Sequence, residues 1–305
     1  MHMSGFFPWW SISTFSHLRF VIRLAVVVIS ACCYVEVVAW GMTGHRVVGA
    51  LAERHLTEKT QAAVREILSG YKLQDVSNWM DDIKSENSPL YKSVYGWHFM
   101  DMPDPDNWHP KAFYPEVQWP HDLNESLQYV VTKLRQSDDQ GQFNRAAYLR
   151  MLVHLVADAH QPLHVGNGAD KGANRCYVRW FYSKWPTTLH SVWDSKLIDS
   201  TRYNYSEYVD YLDHVDHDTI LQWQRDSLQT WLIESRKLHD QVYPVTQNTR
   251  PEDYCVAKRS LVKRTKMPVL SYSYSYTMRP IVEKRLQQAG LRLAGVLNDI
   301  FDGSR

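Results

Sequence analysis

The sequence predicts a mainly α-helical protein with one domain and a single short β-hairpin. Three observations favour this fold class. Apolar residues recur at helical spacing through most of the chain after residue 40. Only the stretch 176–182 has the dense β-branched and aromatic character of a strand. No low-complexity linker, composition break or internal repeat divides the chain, so one domain is expected.

The N-terminus is predicted to be a secretory signal peptide covering residues 1–39. Arg19 and Arg23 precede an uncharged apolar run, which is too short to span a bilayer comfortably. The run is followed by the small-residue pattern Val37-Val38-Ala39, so we expect cleavage after Ala39 and a secreted or periplasmic protein. The stretch before Cys32 also resembles the acylation box of bacterial lipoproteins, and anchoring at Cys32 is the alternative.

The expected mature domain, residues 40–305, carries no net charge. Without Arg19, Arg23 and Glu36, the 34 basic and 33 acidic residues of the chain become 32 of each. This balance argues against a protein that holds nucleic acid by an overall basic surface, so any phosphate site needs a local source of positive charge such as metal ions. Of the four cysteines, Cys176 and Cys255 remain, a number compatible with one disulfide.

Helices are predicted in order along the mature chain. The apolar spacing and the flanking cap residues indicate helices at 44–56, from Thr57 to Gly70, at 74–84, 120–136, 144–160 and 278–301. Pro162 is expected to end the fifth of these helices. Between Gly166 and Lys184 the pattern changes to a loop that leads into the short strand or hairpin.

Two histidine–aspartate pairs are the strongest chemical signal in the sequence. His154 and Asp158 are four residues apart, as are His190 and Asp194, so each pair shares one helical face and can bind one ion. The break at Pro162 could turn His164 back towards the first pair. A single pair is more simply explained as packed polar residues, but two pairs together favour a metal centre.

Three further positions extend the set of possible ligands. They are His45, Asp81 in Asn78-Trp79-Met80-Asp81, and His98 in Trp97-His98-Phe99. None of the three would be persuasive alone. The acidic and histidine-rich run 213–218 lacks an apolar setting and is interpreted as a solvated face.

Taken together, these motifs resemble the zinc-dependent type I nuclease family, the single-strand-specific nucleases and 3′-nucleotidases that include mung bean nuclease. The resemblance runs from Trp40 to the C-terminal helix. Its motifs are Trp40-Gly-x-x-Gly-His45, Trp79-x-Asp81, His98-Phe-x-Asp101, His154-x3-Asp158-x5-His164 and His190-Ser-x-Trp-Asp194. It implies the helical fold that this family shares with zinc-dependent phospholipase C.

The resemblance also implies a three-zinc site. The first ion would be held by Asp81, His98, His154 and Asp158, and the second by His164, His190 and Asp194. The third would take His45, Asp158 as a bridge, and the free α-amine and carbonyl oxygen of Trp40. Signal-peptide cleavage would then create a ligand.

From this we expect a secreted endonuclease that hydrolyses single-stranded DNA and RNA to 5′-phosphate products, with 3′-nucleotidase activity, by a metal-activated water. Asp81 and Asp158 are the expected catalytic aspartates. Lys84, three residues after Asp81, matches the family's phosphate-binding position, although an ordinary solvated helix lysine is the alternative.

For the nucleobase, the resemblance implies that Phe99 stacks on the base, Asp101 bonds its edge and Asn174 completes the site. Stacking suits unpaired bases of any sequence. Position 173 is Ala where the family motif usually has a second glycine, which could shift the Asn174 loop. The substrates would be single-stranded nucleic acids and 3′-nucleotides, and the protein is expected to be a monomer without stable membrane insertion.

Two other functions are compatible with parts of this pattern. A zinc-dependent phospholipase C shares the fold and the His-x3-Asp-x5-His core, but it has a longer gap after the first Trp and a Glu in place of Asp194. A protein that only stores zinc or binds nucleic acid is the other alternative. Closed zinc sites rely on thiolates or full four-ligand shells, whereas these ligands include no cysteine, which favours catalysis.

Overall fold

The computed structural model describes His2 and residues 40–136, 142–246 and 248–303. Apart from His2, the predicted signal peptide and the alternative acylation site Cys32 lie outside the described residues. Helices α1–α7 are Met42–Arg54, Glu58–Ile67, Leu73–Val76, Trp79–Asp82, Pro89–Ser93, Leu123–Gln136 and Arg145–Ala159. Helices α8–α14 are Leu189–Ser191, Leu197–Asp199, Tyr205–Leu212, His217–Arg225, Leu228–Val242, Pro251–Tyr254 and Tyr272–Phe301.

The remaining elements are short. Strands β1–β5 are Met100–Asp101, Val165–Gly166, Tyr177–Trp180, Thr187–Thr188 and Val269–Leu270. One-turn 3₁₀ segments occupy Ile83–Ser85, Tyr95–His98, Pro162–His164, Arg259–Leu261 and Arg264–Lys266, and a π turn, Val192–Lys196, joins α8 to α9. The described chain is therefore mainly helical, as predicted.

The strands form two small sheets that connect distant parts of the chain. β1 pairs in parallel with β2, which places Met100 opposite Val165 and Asp101 opposite Gly166. β3 forms the predicted hairpin with β4 and also pairs in parallel with β5. Beside this sheet Cys176 and Cys255 form a disulfide across 79 residues of sequence, which confirms the single pair.

Helix α7 runs through the centre of the domain. Every residue from Met151 to Ala159 is buried, which is the pattern of a helix packed on all sides. The long helix α14 packs closely against α1. A Cβ atom at Gly290 would lie 2.8 Å from the side chain of Leu51, so glycine is needed for this approach.

Several predicted helix boundaries agree with the structure. Thr57 caps α2 through its side-chain oxygen, which accepts the Thr60 N–H, and the chain leaves the helix through Gly70 at φ +90°. The helix predicted at 144–160 is α7, which ends at Ala159, shortly before Pro162. The C-terminal helix starts at Tyr272, earlier than the predicted residue 278. The prediction missed its first turns because the apolar stripe does not extend over residues 272–277, where Tyr272 and Tyr276 are exposed.

The prediction of one continuous helix at 74–84 is wrong. The chain forms α3, α4 and a 3₁₀ turn instead, and the break falls at Ser77 and Asn78. A continued helix would pair the Ser77 carbonyl with the Asp81 N–H, but Asp81 bonds Asn78 and the Ser77 carbonyl accepts a bond from His154. A buried contact with a distant histidine therefore replaces a local helical bond.

Within the described ranges, none of the helices combines the length and the apolar character that crossing a lipid bilayer requires.

Candidate metal centre and substrate site

The centre of the site is the C-terminal half of α7. His154 and Asp158 lie one turn apart on the same face, and both are fully buried. After α7 ends, the Pro162–His164 turn brings the third residue of the motif back beside the helix. His164 Nδ1 lies 3.8 Å from Asp158 Oδ1, so the Pro162 break does what the sequence predicts.

A first group of donor atoms comes from three separate elements. Asp81 is on α4, His98 ends the 3₁₀ turn before β1, and His154 is on α7. His154 Nε2 is 3.1 Å from His98 Nδ1 and 3.6 Å from Asp81 Oδ1. Residues that are far apart in sequence thus present their ligand atoms to one point.

Asp158 faces two directions with its two oxygens. Oδ2 lies 3.0 Å from His98 Nδ1 and 3.3 Å from His154 Nε2. Oδ1 lies 3.3 Å from Nε2 of His45, which is on α1. Trp40 is buried just before this helix and is packed against Gly44. Asp158 is therefore positioned to bridge two ions.

A second group is formed by the 3₁₀ turn after α7 and by the helical segment 189–199. His190 Nε2 lies 3.2 Å from Asp194 Oδ2, and His164 Nε2 lies 3.7 Å from Asp194 Oδ1. All three side chains are buried. The four-residue spacing of His190 and Asp194 places them on one face, as predicted.

These donor sets fit zinc. A tetrahedral ion with bonds of about 2.0–2.1 Å separates its ligand atoms by roughly 3.3–3.4 Å, close to the spacings within both groups. Several buried atoms that could coordinate an ion have no hydrogen-bond partner: Asp81 Oδ2, His164 Nε2, His190 Nε2 and Asp194 Oδ2. Buried polar atoms without partners are costly unless they coordinate an ion.

Backbone carbonyls orient three of the histidine rings. His154 Nδ1 donates to the Ser77 carbonyl at 2.8 Å, His164 Nδ1 to the His98 carbonyl at 2.6 Å, and His190 Nδ1 to the Gly172 carbonyl at 2.5 Å. Each bond leaves Nε2 as the ligand atom, which is how proteins fix the tautomer of a metal-binding histidine. Sequence reasoning did not identify these acceptors because backbone atoms carry no residue-type signal.

Gln161 contacts a candidate ligand, and its place in the site was not predicted from the sequence. It is fully buried, its Nε2 donates to Asp194 Oδ1 at 2.6 Å, and its Oε1 accepts the Leu163 N–H at 2.5 Å. It thereby orients a candidate ligand of the second group. A polar residue inside the Asp158–His164 motif was the signal that could have revealed it.

The electrostatics of the first group favour an anionic Asp81 and a neutral His98 but not a neutral His154. Burial disfavours the charged His154 ring, yet the carboxylates of Asp158 and Asp81 raise the pKa of His154 above its ordinary value. Burial alone would raise the pKa of Asp81, but the charges of His154 and Lys84 lower it to about 2. Burial and the Lys84 ammonium lower the pKa of His98 to about 3. Anionic Asp81 and neutral His98 are in the protonation states that metal ligation requires, whereas a protonated His154 must first release its proton.

In the second group, the pKa of His164 is raised like that of His154. Its burial disfavours the charged ring, but the carboxylates of Asp158 and Asp194 raise the pKa of His164 to about 9. A proton on this ring and a metal ion compete for the same negative surroundings. Metal binding here is therefore coupled to proton release.

Lys84 is not a free solvated lysine. Its ammonium lies 2.5 Å from Asp81 Oδ1 and 5.7 Å from the centre of the Tyr95 ring, with the side chain 20% exposed. A positive charge is therefore held at the edge of the first group.

Exposed aromatic rings stand next to the first group. Phe99 follows His98 directly and is 46% exposed, and the Tyr95 ring lies edge-on to it at 6.3 Å. Two residues further on, exposed Asp101 accepts the Gly168 N–H through Oδ1 at 3.2 Å. The β1–β2 pairing thus brings Asp101 to the loop that contains Asn174.

The Asn174 loop has an unusual backbone. Lys171, Gly172 and Ala173 all have positive φ, with Ala173 at +61° where the resemblance leads one to expect glycine. The Asn174 side chain folds back and donates to the Lys171 carbonyl at 3.0 Å. The alanine therefore accepts the left-handed conformation, at a cost of about 1–2 kcal/mol.

Other polar clusters do not resemble this centre. Asp170 lies beside Cys176 and Cys255, but the disulfide removes both thiolates as ligands. In the run 213–218, Asp216 caps α11 and most side chains are exposed, in agreement with a solvated face. Asp213 instead forms a 2.8 Å contact with His55.

The sequence comparisons with known proteins agree on one family. The chain is 32% identical over 285 residues to Endonuclease 4 of Arabidopsis thaliana, which covers 86% of this chain and 89% of that protein. It is 27% identical over 176 residues to Nuclease S1 of Aspergillus oryzae, or 55% of this chain and 57% of that one. Among solved structures, Clostridium perfringens alpha-toxin has a TM-score of 0.39 at 15% identity, covering 86% of this chain and 64% of that chain. The sequence profile described as S1/P1 Nuclease matches residues 40–302.

Proposed function

The chain belongs to the S1/P1 nuclease family, and we propose that it is a zinc-dependent endonuclease for single-stranded DNA and RNA that leaves 5′-phosphate products. It is thus a hydrolase of phosphodiester bonds. Removal of a 3′-phosphate from 3′-nucleotides is proposed as a second reaction of the same site. One observation carries the proposal, the convergence of buried histidine and aspartate donors into groups suited to metal ions.

Three zinc ions are proposed, with the ligands divided as follows. Asp81, His98, His154 and Asp158 hold the first ion, His164, His190 and Asp194 the second, and His45, Asp158 and Trp40 the third. The opposed directions of the two Asp158 oxygens support the bridging role. The imidazole and carboxylate donors, without thiolate, suit catalytic zinc.

Bound zinc supplies Lewis acidity that activates water and offsets phosphate charge. The protein contributes fixed ligand geometry and one additional cation. Lys84 lies at the edge of the first group and is held by Asp81, so it can donate to a phosphate oxygen without a large rearrangement. A local positive site on an otherwise neutral protein thereby selects a phosphodiester.

The exposed Phe99 ring supports a preference for unpaired bases. A base can stack on this ring only if it is free from a partner strand, and stacking tolerates any sequence. Asp101 and Asn174 are proposed to bond the base edge. Asp101 Oδ1 is already engaged by Gly168, which leaves its exposed side for this purpose.

We further propose that residues 1–39 are a signal peptide, that residues 40–305 form the mature secreted enzyme, and that cleavage frees the Trp40 amine. The family match that begins at residue 40 supports this boundary. N-terminal sequencing of the exported protein tests it, because a mature chain that starts at acylated Cys32 would contradict the Trp40 ligand.

The function is tested by incubating the purified exported protein with single-stranded DNA, RNA, 3′-AMP and phosphatidylcholine, with and without a chelator. We expect nucleotides from both nucleic acids, phosphate from 3′-AMP, and loss of each activity after chelation. Release of phosphocholine without nucleic-acid cleavage would instead favour the phospholipase alternative. Activity that survives chelation would contradict the metal mechanism.

A matched pair of variants distinguishes the loss of a metal ligand from the general effect of removing one negative charge. Asp158→Asn removes the bridging carboxylate and is expected to lower kcat by several orders of magnitude together with zinc content. Asp218→Asn changes an exposed aspartate outside the site and should leave both unchanged. Full zinc content in Asp158→Asn would refute the bridging assignment.

A further inference from the structure

Five cations lie within nine residues of the C-terminal part of the chain. Lys258, Arg259, Lys263, Arg264 and Lys266 are all exposed, and we call Lys258–Lys266 the basic segment. Within the described residues, only Lys266 of the five forms an ion pair, with Asp253 at 3.3 Å. A mature chain with equal numbers of basic and acidic residues thus carries a concentrated positive surface here.

The basic segment has a fixed conformation rather than that of a loose tail. Its two 3₁₀ turns are closed by backbone bonds from Val262 N to Arg259 O and from Lys266 N to Lys263 O. Val262 and Met267 are buried and anchor it to the core. The disulfide precedes it and β5 follows it, so both of its ends are attached to the β3 region.

The basic segment borders a groove that also contacts the turn between β3 and β4. Arg259, Arg264 and Ser260 line this groove of about 520 Å³ together with Pro186 of the hairpin. Pro186 precedes the candidate ligand His190 by four residues, which span at most about 14 Å. A strand held at the metal centre could therefore reach the groove with a few additional nucleotides.

We propose that the basic segment is an accessory surface that binds the phosphates of a single-stranded nucleic acid extending beyond the metal centre. This inference rests on the proposed function. Unpaired arginines in a groove match phosphate geometry, and their benefit comes from the release of counterions by a long polyanion. A short substrate that fills only the metal centre gains nothing from it.

The test compares substrates of two lengths. The double variant Arg259→Gln/Arg264→Gln and the wild-type enzyme are assayed with a thymidine dinucleotide and a 30-nucleotide oligothymidylate across a salt series. We expect unchanged kcat/KM for the dinucleotide. For the oligonucleotide, we expect a severalfold lower kcat/KM at low salt and a salt slope reduced by about 0.7 per cation removed, or roughly 1.4 in total.

Two further variants serve as replicate and control. Lys258→Gln/Lys263→Gln neutralises the other two unpaired cations and should give the same pattern. Lys59→Gln/Arg65→Gln neutralises two exposed cations on α2, a helix that contributes no residue to the site, and should behave as wild type. Melting temperatures of all variants are expected to match, because the changed side chains are exposed.

The outcomes are distinguishable. If the wild-type enzyme and the double variant are both active and have equal salt slopes and equal oligonucleotide kinetics, the accessory surface is excluded. The proposed nuclease function then still stands. If the wild-type enzyme hydrolyses neither substrate, the proposed function itself fails, and the accessory surface with it. Loss of binding to phosphatidylserine vesicles with unchanged oligonucleotide kinetics would overturn the proposal in favour of a membrane surface.

Discussion

At the scale of single residues, the candidate metal centre depends on partners that are not ligands. Three ring nitrogens are bonded to backbone carbonyls, so the imidazoles are oriented before any ion arrives. Asp194 is oriented by Gln161, whose side chain is also fixed at its other end by the Leu163 N–H. Mutation of residues that orient metal ligands typically lowers metal affinity by about 10- to 100-fold.

Gln161→Met is expected to weaken zinc binding without changing the ligands. Methionine keeps the side-chain length but cannot donate to Asp194 Oδ1, so this carboxylate loses its fixed orientation. We expect the dissociation constant of the most weakly held zinc to rise about 10- to 100-fold. Competition with a chromophoric chelator measures this directly.

Gln287→Met is the matched control for this substitution. Gln287 on α14 also donates from Nε2 to an acceptor, the Leu212 carbonyl at 2.8 Å, but it lies outside the site. Its loss should alter stability and leave zinc affinity unchanged. If both variants bind zinc as tightly as the wild type, Gln161 has no positioning role.

At the scale of elements, the loop from Gly166 to Cys176 connects the substrate residues to the second ligand group. A Cβ at Gly166 would lie 2.7 Å from Asp101 Oδ1, and one at Gly172 would lie 2.2 Å from the Leu163 carbonyl oxygen. Gly172 also provides the carbonyl that orients His190. Glycine is required at Gly172 by the contact with a backbone carbonyl and by its φ of +57°, whereas a Cβ at Gly166 would displace the Asp101 carboxylate.

Gly172→Ala should therefore lower the free energy of unfolding far more than an ordinary substitution of a glycine at positive φ. Gly70→Ala is the control, since Gly70 has φ +90° but no atom within 4 Å of the added Cβ. We expect Gly70→Ala to lower the free energy of unfolding by about 1–2 kcal/mol from backbone strain alone. Gly172→Ala adds a clash with a buried carbonyl and should cost at least twice as much and also weaken zinc binding. Equal losses in urea unfolding would contradict this reading of the loop.

The sequence indicates which candidate ligand residues lie together better than it predicts the elements that carry them. His154 and Asp158, like His190 and Asp194, are recognisable because local spacing alone places them on one face. The break at Ser77 was not predictable, since its cause is a bond to a histidine 77 residues away. Helices α10–α12 were also missed, and the role of Gln161 requires the fold that brings it to Asp194.

At the scale of the whole molecule, the packing of α14 against α7 and α12 includes buried charges. Arg285 and Arg292 are almost completely buried, and both donate to Glu234, which remains about one third exposed. Arg292 also contacts the His160 ring, and Arg285 donates to the His160 carbonyl. The network therefore supports the end of α7 just beyond the candidate ligands.

This network predicts a pH-dependent contribution to stability. Partial burial works against the charged form, but Arg292 and Arg285 hold the pKa of Glu234 below its ordinary value. A carboxyl with a lowered folded-state pKa contributes its full stability above the unfolded-state pKa and loses it as the pH falls through the folded-state pKa. Glu234→Gln should thus be about 2 kcal/mol less stable than the wild type at pH 7, with the difference shrinking towards pH 3.

Urea unfolding of both proteins between pH 7 and pH 3 measures this difference, and the exposed Glu66→Gln on α2 is the control. Zinc release at low pH destabilises the wild type and the Glu234→Gln variant alike. It therefore cancels when the unfolding free energies of the two proteins are subtracted at each pH. A difference that is constant across the pH range would show that Glu234 acts by packing and not by its charge.

With the proposed third zinc site, zinc content and activity depend on the residue at which the mature chain begins. Trp40 is buried, and the next residue, Gly41, donates its N–H to the Asp194 carbonyl at 2.5 Å, just before the helix that carries His45. A chain with one additional residue before Trp40 keeps every side chain but replaces the amine by an amide, which is a poor zinc ligand. We expect such a chain to bind two zinc ions instead of three and to lose most of its kcat. Elemental analysis and kinetics of the two forms, released from one fusion protein by different proteases, measure both effects. Equal zinc content and equal kcat would exclude the terminal amine from the metal centre.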